Sequence, residues 1–228
     1  RKNFINKNFQ KNIVDDNFIY FPLQVEPDRN LLLGAPDYTD QLNSITQIVK
    51  SLPNGYKLYV KEHPGQNRTW RDISYYKKIL KLNNVKLIHP SFPSEKIYEK
   101  CSLVITAVGT SGFEALFYGI PVIVFGDVLY SNISSVTKMN SFDELTSLIQ
   151  NSLSQKPEPD ELNLLLKLLE INSIDFDLFG YYTIQAHEFF HDSHLIDVKI
   201  PEQKMKNFLD TNKAHFEKIG NYLIKKTY

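Results

Sequence analysis

The sequence predicts an α/β protein: a Rossmann-like, doubly wound parallel sheet over residues 18–155, followed by a helical segment over residues 156–228. Three observations predict it. Short apolar runs of strand length alternate with stretches whose apolar residues recur at helical spacing, which is the pattern of βαβ units. The runs are apolar enough to be buried, as strands are when helices cover both faces of a parallel sheet. After residue 155 the strand-like runs stop and only helical periodicity continues.

Taken in order, residues 1–17 are rich in Asn and Lys and read as a linker or loosely held extension. "FIYFPLQ" (18–24) is an apolar-aromatic strand, and the two-proline stretch after it, up to about residue 40, reads as a loop. Residues 38–52 place Leu42, Ile45, Ile48, Val49 and Leu52 on one helical face, and "PNG" ends that helix. A strand at 56–64, an amphipathic helix at 70–82, a strand at 85–90 and a short helix at 94–101 with Ser94 as N-cap follow. A strand at 102–110, a helix at 111–119 closed by Gly119, and a strand at 120–126 bring the count to five strands. Ser141 with Glu144 forms a capping box opening a helix over 141–153. Helices are expected at 161–171, 176–191 and 201–228.

Composition narrows the function. Of the 228 residues, 42% are hydrophobic and 23% charged, the balance of a globular protein. Lys+Arg and Asp+Glu both number 26, and this zero net charge argues against nucleic acid as a partner. Cys101 is the single cysteine, so no internal disulfide forms and a reducing, cytoplasmic home is expected. No apolar run approaches the roughly 20 residues that span a bilayer. The N-terminal residues lack the apolar core of a signal peptide. The chain begins at Arg1 rather than Met and is expected to be a piece of a longer protein.

In an open parallel sheet, ligands sit beyond the carboxyl ends of the strands, where the strand order reverses. Two segments at such ends carry polar and small residues. In "KEHPGQ" (61–66), Lys61, Glu62 and His63 leave an apolar strand abruptly, and Pro64 with Gly65 makes a tight turn. The His63 imidazole can donate to a phosphate oxygen, better when protonated. The competing reading makes Lys61 and Glu62 solvated loop residues. In "GTSGFEAL" (109–116), Gly109 and Gly112 let a ligand approach the backbone, and the first helical N–H groups are unpaired donors. Thr110 and Ser111 add hydroxyls, and Glu114, one turn in, suits ribose hydroxyls. The competing reading is an ordinary helix start. Neither a Walker A loop nor G-x-G-x-x-G is present, which disfavours a dinucleotide. "HPSFPSE" (89–95) can line a nucleobase pocket, with Ser91 a further candidate and His89 either a ligand or a satisfied loop histidine.

"YFPLQVEPDRNLL", "LPNGYKLYVKEHPGQ", "VKLIHPSFPS" and "VITAVGTSGFEALFYGIPVIVFGDVLY" occur in that order. Over residues 18–130 the chain resembles the nucleotide-binding half of bacterial capsule polysaccharide biosynthesis proteins, a group that includes CMP-Kdo transferases. The resemblance implies a glycosyltransferase with the two facing Rossmann-like domains of the GT-B architecture. It implies a nucleotide-sugar donor, CMP-linked, a saccharide or glycolipid acceptor, and no metal or other cofactor. His63 with Pro64 would contact the donor phosphate, Gly109, Thr110, Ser111 and Gly112 would form the turn at the phosphate or nucleotide, and Glu114 would contact the ribose. Lys61 and Tyr130 would line the cleft. A complete N-terminal domain does not precede Phe18, so the partner half, with acceptor contacts and a catalytic carboxylate, is expected elsewhere, and no catalytic residue is assigned. Capsule assembly implies peripheral association with the inner face of the membrane.

Two further readings keep the same cradle: a nucleotide-sugar 2-epimerase, which needs its own acid/base carboxylates, and a non-catalytic nucleotide- or sugar-binding module. A fourth arises from "HEFFH" (187–191), the H-E-x-x-H zinc-protease pattern. Asp192 and Ser193 follow it, the downstream H-x-x-G-x-x-H extension is absent, and His194, Glu202 and Glu217 offer no convincing third ligand. We read this stretch as a helix packed by its aromatic residues, and no metal site is assigned.

Overall fold

The computed structural model describes residues 1–14, 17–66, 71–190 and 199–227. Six parallel strands form one sheet: β1 (Asn17–Pro22), β2 (Tyr56–Lys61), β3 (Val85–Ile88), β4 (Leu103–Thr106), β5 (Val122–Val124) and β6 (Val136–Lys138). Their spatial order is β3-β2-β1-β4-β5-β6, so the Rossmann-like expectation holds. The order reverses at β1, which pairs with β2 on one side and β4 on the other. Connections leaving β1 and β4 therefore go to opposite faces, and a crevice opens between them at the strand ends.

Alternation along each strand builds two cores. Ile19 and Phe21 of β1, with Leu58, Val60, Leu103 and Ile105, face one layer. Phe18 and Tyr20, with Tyr59, Val104, Val122 and Val124, face the other. The first layer is covered by α3 (Gln41–Lys50), α4 (Ile73–Leu80) and α7 (Leu145–Ser152), through Ile45, Ile48, Tyr76, Ile79, Leu145 and Ile149. The second is covered by α5 (Glu95–Tyr98) and α6 (Thr110–Leu116), through Ile97, Tyr98, Ala115 and Leu116. Aspartates cap the first-layer helices: Asp40 accepts from Asn43 N at 3.0 Å and Asp72 from Tyr75 N at 3.1 Å. Gly119 stops the turn after α6 at φ +72°, a conformation that favours glycine. The Ser141–Glu144 capping box forms, and it opens a short 3-10 turn ahead of α7.

Several expectations need correction. Residues 1–17 carry α1 (Lys2–Asn8), whose Ile5, with Phe9 just beyond, is buried in the first core; the polar neighbours hide a one-sided apolar pair. The stretch read as a loop after β1 holds α2 (Arg29–Gly34), anchored by buried Leu31, and a 3-10 turn at Pro36–Tyr38. A sixth strand, β6, is only three residues long with one of them buried, too short to show alternation. Strands β2, β4 and β5 end before the stretches 56–64, 102–110 and 120–126 expected for them.

The chain divides into two compact units, Arg1–Leu165 and Leu166–Tyr228, rather than at residue 155. The start of α8 (Pro159–Asn172) belongs to the first unit, because Leu162 joins its second core and Glu161 accepts from the backbone and hydroxyl of Ser134, both at 2.8 Å. The second unit contains α9 (Leu178–Phe190), α10 (Glu202–Thr211) and α11 (Lys213–Thr227), the last two separated at Asn212 where one helix was expected. Phe208 is its packing centre, with Phe189, Tyr181 and Phe216 rings at 4.7, 6.0 and 6.4 Å. Among the described residues no helix is long and apolar enough to cross a membrane.

Candidate functional site

A polar cleft of about 250 Å³ lies at the carboxyl ends of β1, β2 and β4. It gathers Lys61, His63 and Pro64 from the end of β2 and Gly109, Thr110, Ser111 and Glu114 from the β4–α6 junction. These segments are some 50 residues apart in the chain, and the sheet order alone brings them together. Tyr20, Gln24, Glu62 and Ser94 complete the walls.

The His63 end is a tight turn: Gln66 N donates to His63 O at 3.1 Å. Inside it, Gly65 N donates to His63 Nδ1 at 3.0 Å. Nδ1 is therefore an acceptor, the neutral ring carries its proton on Nε2, and Nε2–H is the donor available to a ligand. Desolvation lowers the His63 pKa below the ordinary histidine value, ahead of the opposing pull of Glu62. The Nε2–H donor is present on the neutral ring, although a protonated imidazole would donate more strongly. Burial also pulls Lys61 below the usual lysine range, against the opposing effect of Glu95 and Glu114. Its Nζ donates to Ser94 Oγ at 2.9 Å, so the Ser94 hydroxyl serves the cleft and makes no helix-capping bond.

Glu62 is not a solvated loop residue. It is 1% exposed, and its Oε1 accepts from His63 N at 2.6 Å and from Arg71 Nη1 at 2.7 Å. Its Oε2 accepts from Tyr76 Oη at 2.6 Å. With both oxygens occupied, Glu62 is a structural carboxylate rather than a free acid or base at the cleft.

On the opposite wall, Gly109 N donates to Thr106 Oγ1 at 3.2 Å. A Cβ on Gly109 would come within 2.6 Å of Gln24 Nε2, so the backbone lies against that amide. Gly112 is buried beneath the turn, where a Cβ would collide with the Tyr130 hydroxyl. Tyr130 Oη donates to Gly109 O at 2.6 Å. Gly112 and Tyr130 thus support the turn from behind and do not line the cleft. Tyr130, with Phe113 and Thr110, instead lines a second, more open groove of about 590 Å³. Glu114 is exposed; its Oε2 accepts from Tyr98 Oη at 3.0 Å and its Oε1 from Thr110 Oγ1 at 3.4 Å. Those bonds orient the carboxylate while leaving it acceptor capacity toward the cleft.

Ser91 is not brought to the cleft. The 89–92 stretch curls so that Ser91 N and Oγ engage His89 Nδ1 at 3.2 and 2.6 Å, while His89 Nε2 faces Asn6 Oδ1 at 3.0 Å. His89 is a satisfied loop histidine. In the second unit His187 and Glu188 lie on α9, and His191 and His194 lie outside the described residues. Among the described residues no group of three or more His, Cys, Asp or Glu is placed to hold a metal ion.

A family model described as "Capsule polysaccharide biosynthesis protein" matches residues 3–162. Among solved structures, the beta Kdo 2,7 transferase KpsC of Thermosulfurimonas dismutans is similar at 20% identity, over 72% of this chain and 57% of that chain, with a TM-score of 0.46. UDP-GlcNAc 2-epimerase from Methanocaldococcus jannaschii is similar at 14% identity, over 74% of this chain and 49% of that chain, with a TM-score of 0.50. The chain thus spans about half the length of these structures, and likeness at this identity concerns the fold alone. A search of the curated proteins finds no match.

Proposed function

The chain belongs to the capsule polysaccharide biosynthesis protein family, and on that premise we propose that its first unit is the donor-binding half of a GT-B glycosyltransferase. The observation that carries the proposal is the convergence of His63, Lys61 and the Gly109–Ser111 turn on one cleft at the switch point of the sheet. In this reading the phosphate of a nucleotide-activated sugar lies between His63 Nε2–H, the Lys61 ammonium and the donors of the turn, and Glu114 receives the ribose hydroxyls. The donor is CMP-linked and the acceptor a saccharide or glycolipid of the cell surface, with the protein acting from the cytoplasmic side of the membrane. These fixed donors stabilise the negative charge that grows on the departing nucleotide, so the chemistry requires no metal.

A 2-epimerase built on the same cradle needs paired acid/base carboxylates. Among the described residues only Glu62 and Glu114 line the cleft as carboxylates, and Glu62 is saturated. Sugar transfer is tested by incubating the full-length product of the reading frame with CMP- and UDP-sugars and a capsular oligosaccharide. Nucleotide release coupled to a lengthened oligosaccharide is the expected result. Epimerised donor without transfer would reject the transferase reading.

A further inference from the structure

Behind the cleft lies a buried polar network that reaches its walls through Glu62 and Gln24. Arg71 is 0% exposed and does not line the cleft. Each of its nitrogens serves a defined partner. Nη1 donates to Glu62 Oε1 at 2.7 Å, Nη2 donates to the Gln24 carbonyl and lies 3.2 Å from Glu26 Oε1, and Nε donates to Glu26 Oε2 at 3.3 Å. Glu62 passes the constraint to one wall by accepting the His63 backbone N–H. Gln24 passes it to the other: its Nε2 donates to Thr106 Oγ1 at 3.3 Å, and Thr106 Oγ1 accepts from Gly109 N at 3.2 Å. Gln41 fixes Gln24 further, accepting from its N at 2.7 Å and donating to its carbonyl at 3.2 Å.

The geometry points to Arg71 as a positioning residue that ties the two cleft walls together, holding His63 through Glu62 and the Gly109 turn through Gln24 and Thr106. The inference rests on the reading of this cleft as the nucleotide site. A phosphate held between two walls demands their spacing to within a few tenths of an ångström, because hydrogen bonds weaken quickly outside about 2.7–3.2 Å. A planar guanidinium with donors fixed in a fork can set that spacing, whereas a lysine ammonium is a single flexible point. The buried charges are otherwise costly, and a role in fixing geometry is what such an arrangement can provide.

The test uses the full chain with ¹⁵N-labelled histidine and backbone. Arg71→Lys keeps the charge but cannot serve Glu62, Gln24 and Glu26 together. It is expected to destroy the single-tautomer signature of the His63 imidazole, to move the amide signals of both His63 and Gly109, and to weaken CMP binding by about tenfold. Thr106→Val is close in volume, leaves no buried charge unpaired, and keeps the proposal falsifiable should Arg71→Lys fail to fold. It is expected to move Gly109 and, through Gln24 and Arg71, His63 as well. Should Arg71→Lys leave the His63 tautomer and both amides as in the wild type, Arg71 is only a counter-charge and the inference fails. It also fails if Thr106→Val moves Gly109 alone. These signals need no ligand, so failure of the wild type to bind CMP or UDP rejects the nucleotide reading without deciding the role of Arg71.

Discussion

The Glu62 carboxylate holds the backbone N–H of the next residue, His63, at 2.6 Å while the buried guanidinium of Arg71 holds the same oxygen at 2.7 Å. A carboxylate deep in the fold thereby anchors the backbone of His63, whose imidazole lines the cleft.

Removing Glu62 leaves the buried Arg71, among the described residues, with the partly exposed Glu26 as its charged partner. Glu62→Ala is expected to cost about 3–5 kcal/mol, the usual penalty for stranding one partner of a buried pair. Replacing both Glu62 and Arg71 with Met should cost less than Glu62→Ala alone. Urea denaturation followed by circular dichroism checks both, and a double variant less stable than the single one would contradict the pairing.

His63 is expected to be neutral at pH 7, protonated on Nε2, with a pKa below the ordinary 6.5. Protonation requires Nδ1 to give up the Gly65 N–H, so the native arrangement is complete above the ordinary pKa and is lost as the pH falls through the lowered one. Histidine NMR across pH 5–8.5 reads this. Between pH 7 and 8.5 nucleotide affinity should follow the same pH dependence in the wild type and in His63→Ala, and a steep loss confined to the wild type would show that the imidazolium is the donor.

Gly112→Ala is expected to disable the cleft without touching its lining, because the new Cβ would press on the Tyr130 hydroxyl and come within 2.9 Å of Val122 Cγ1. Tyr130→Phe removes the hydroxyl that donates to Gly109 O without adding bulk and should cost about 0.5–1.5 kcal/mol of stability. Thermal melts and nucleotide titration of both variants check this ranking. Wild-type affinity in Gly112→Ala would mean that the turn is not supported from behind.

The two cleft segments were legible in the sequence because each breaks an apolar strand abruptly with polar or small residues at a position where an α/β sheet places ligands. What lies behind them was not. Arg71 reads locally as the first turn of an amphipathic stretch, and Gln24, Glu26, Glu62 and Thr106 are scattered through the chain, so no period or motif links them. Ser91 and Ser94 look equivalent in "HPSFPSE", and only the curl around His89 turns one away from the cleft and leaves the other beside Lys61. The family resemblance places Tyr130 at the cleft, whereas its hydroxyl lies beneath the turn on Gly109 O, a difference of side-chain direction that sequence spacing does not carry. The buried face of α1 was readable in principle, since Ile5 and Phe9 are four residues apart, but Asn and Lys dominate the stretch.

Nucleotide binding at the cleft is the central claim, and calorimetric titration with CMP, UDP and inorganic pyrophosphate tests it most directly. The expected result is saturable one-site binding of at least one nucleotide, weakened about tenfold by His63→Ala for nucleotide and pyrophosphate alike, and by Glu114→Ala for nucleotide alone. No saturable nucleotide binding, or affinities unchanged in both variants, would contradict it.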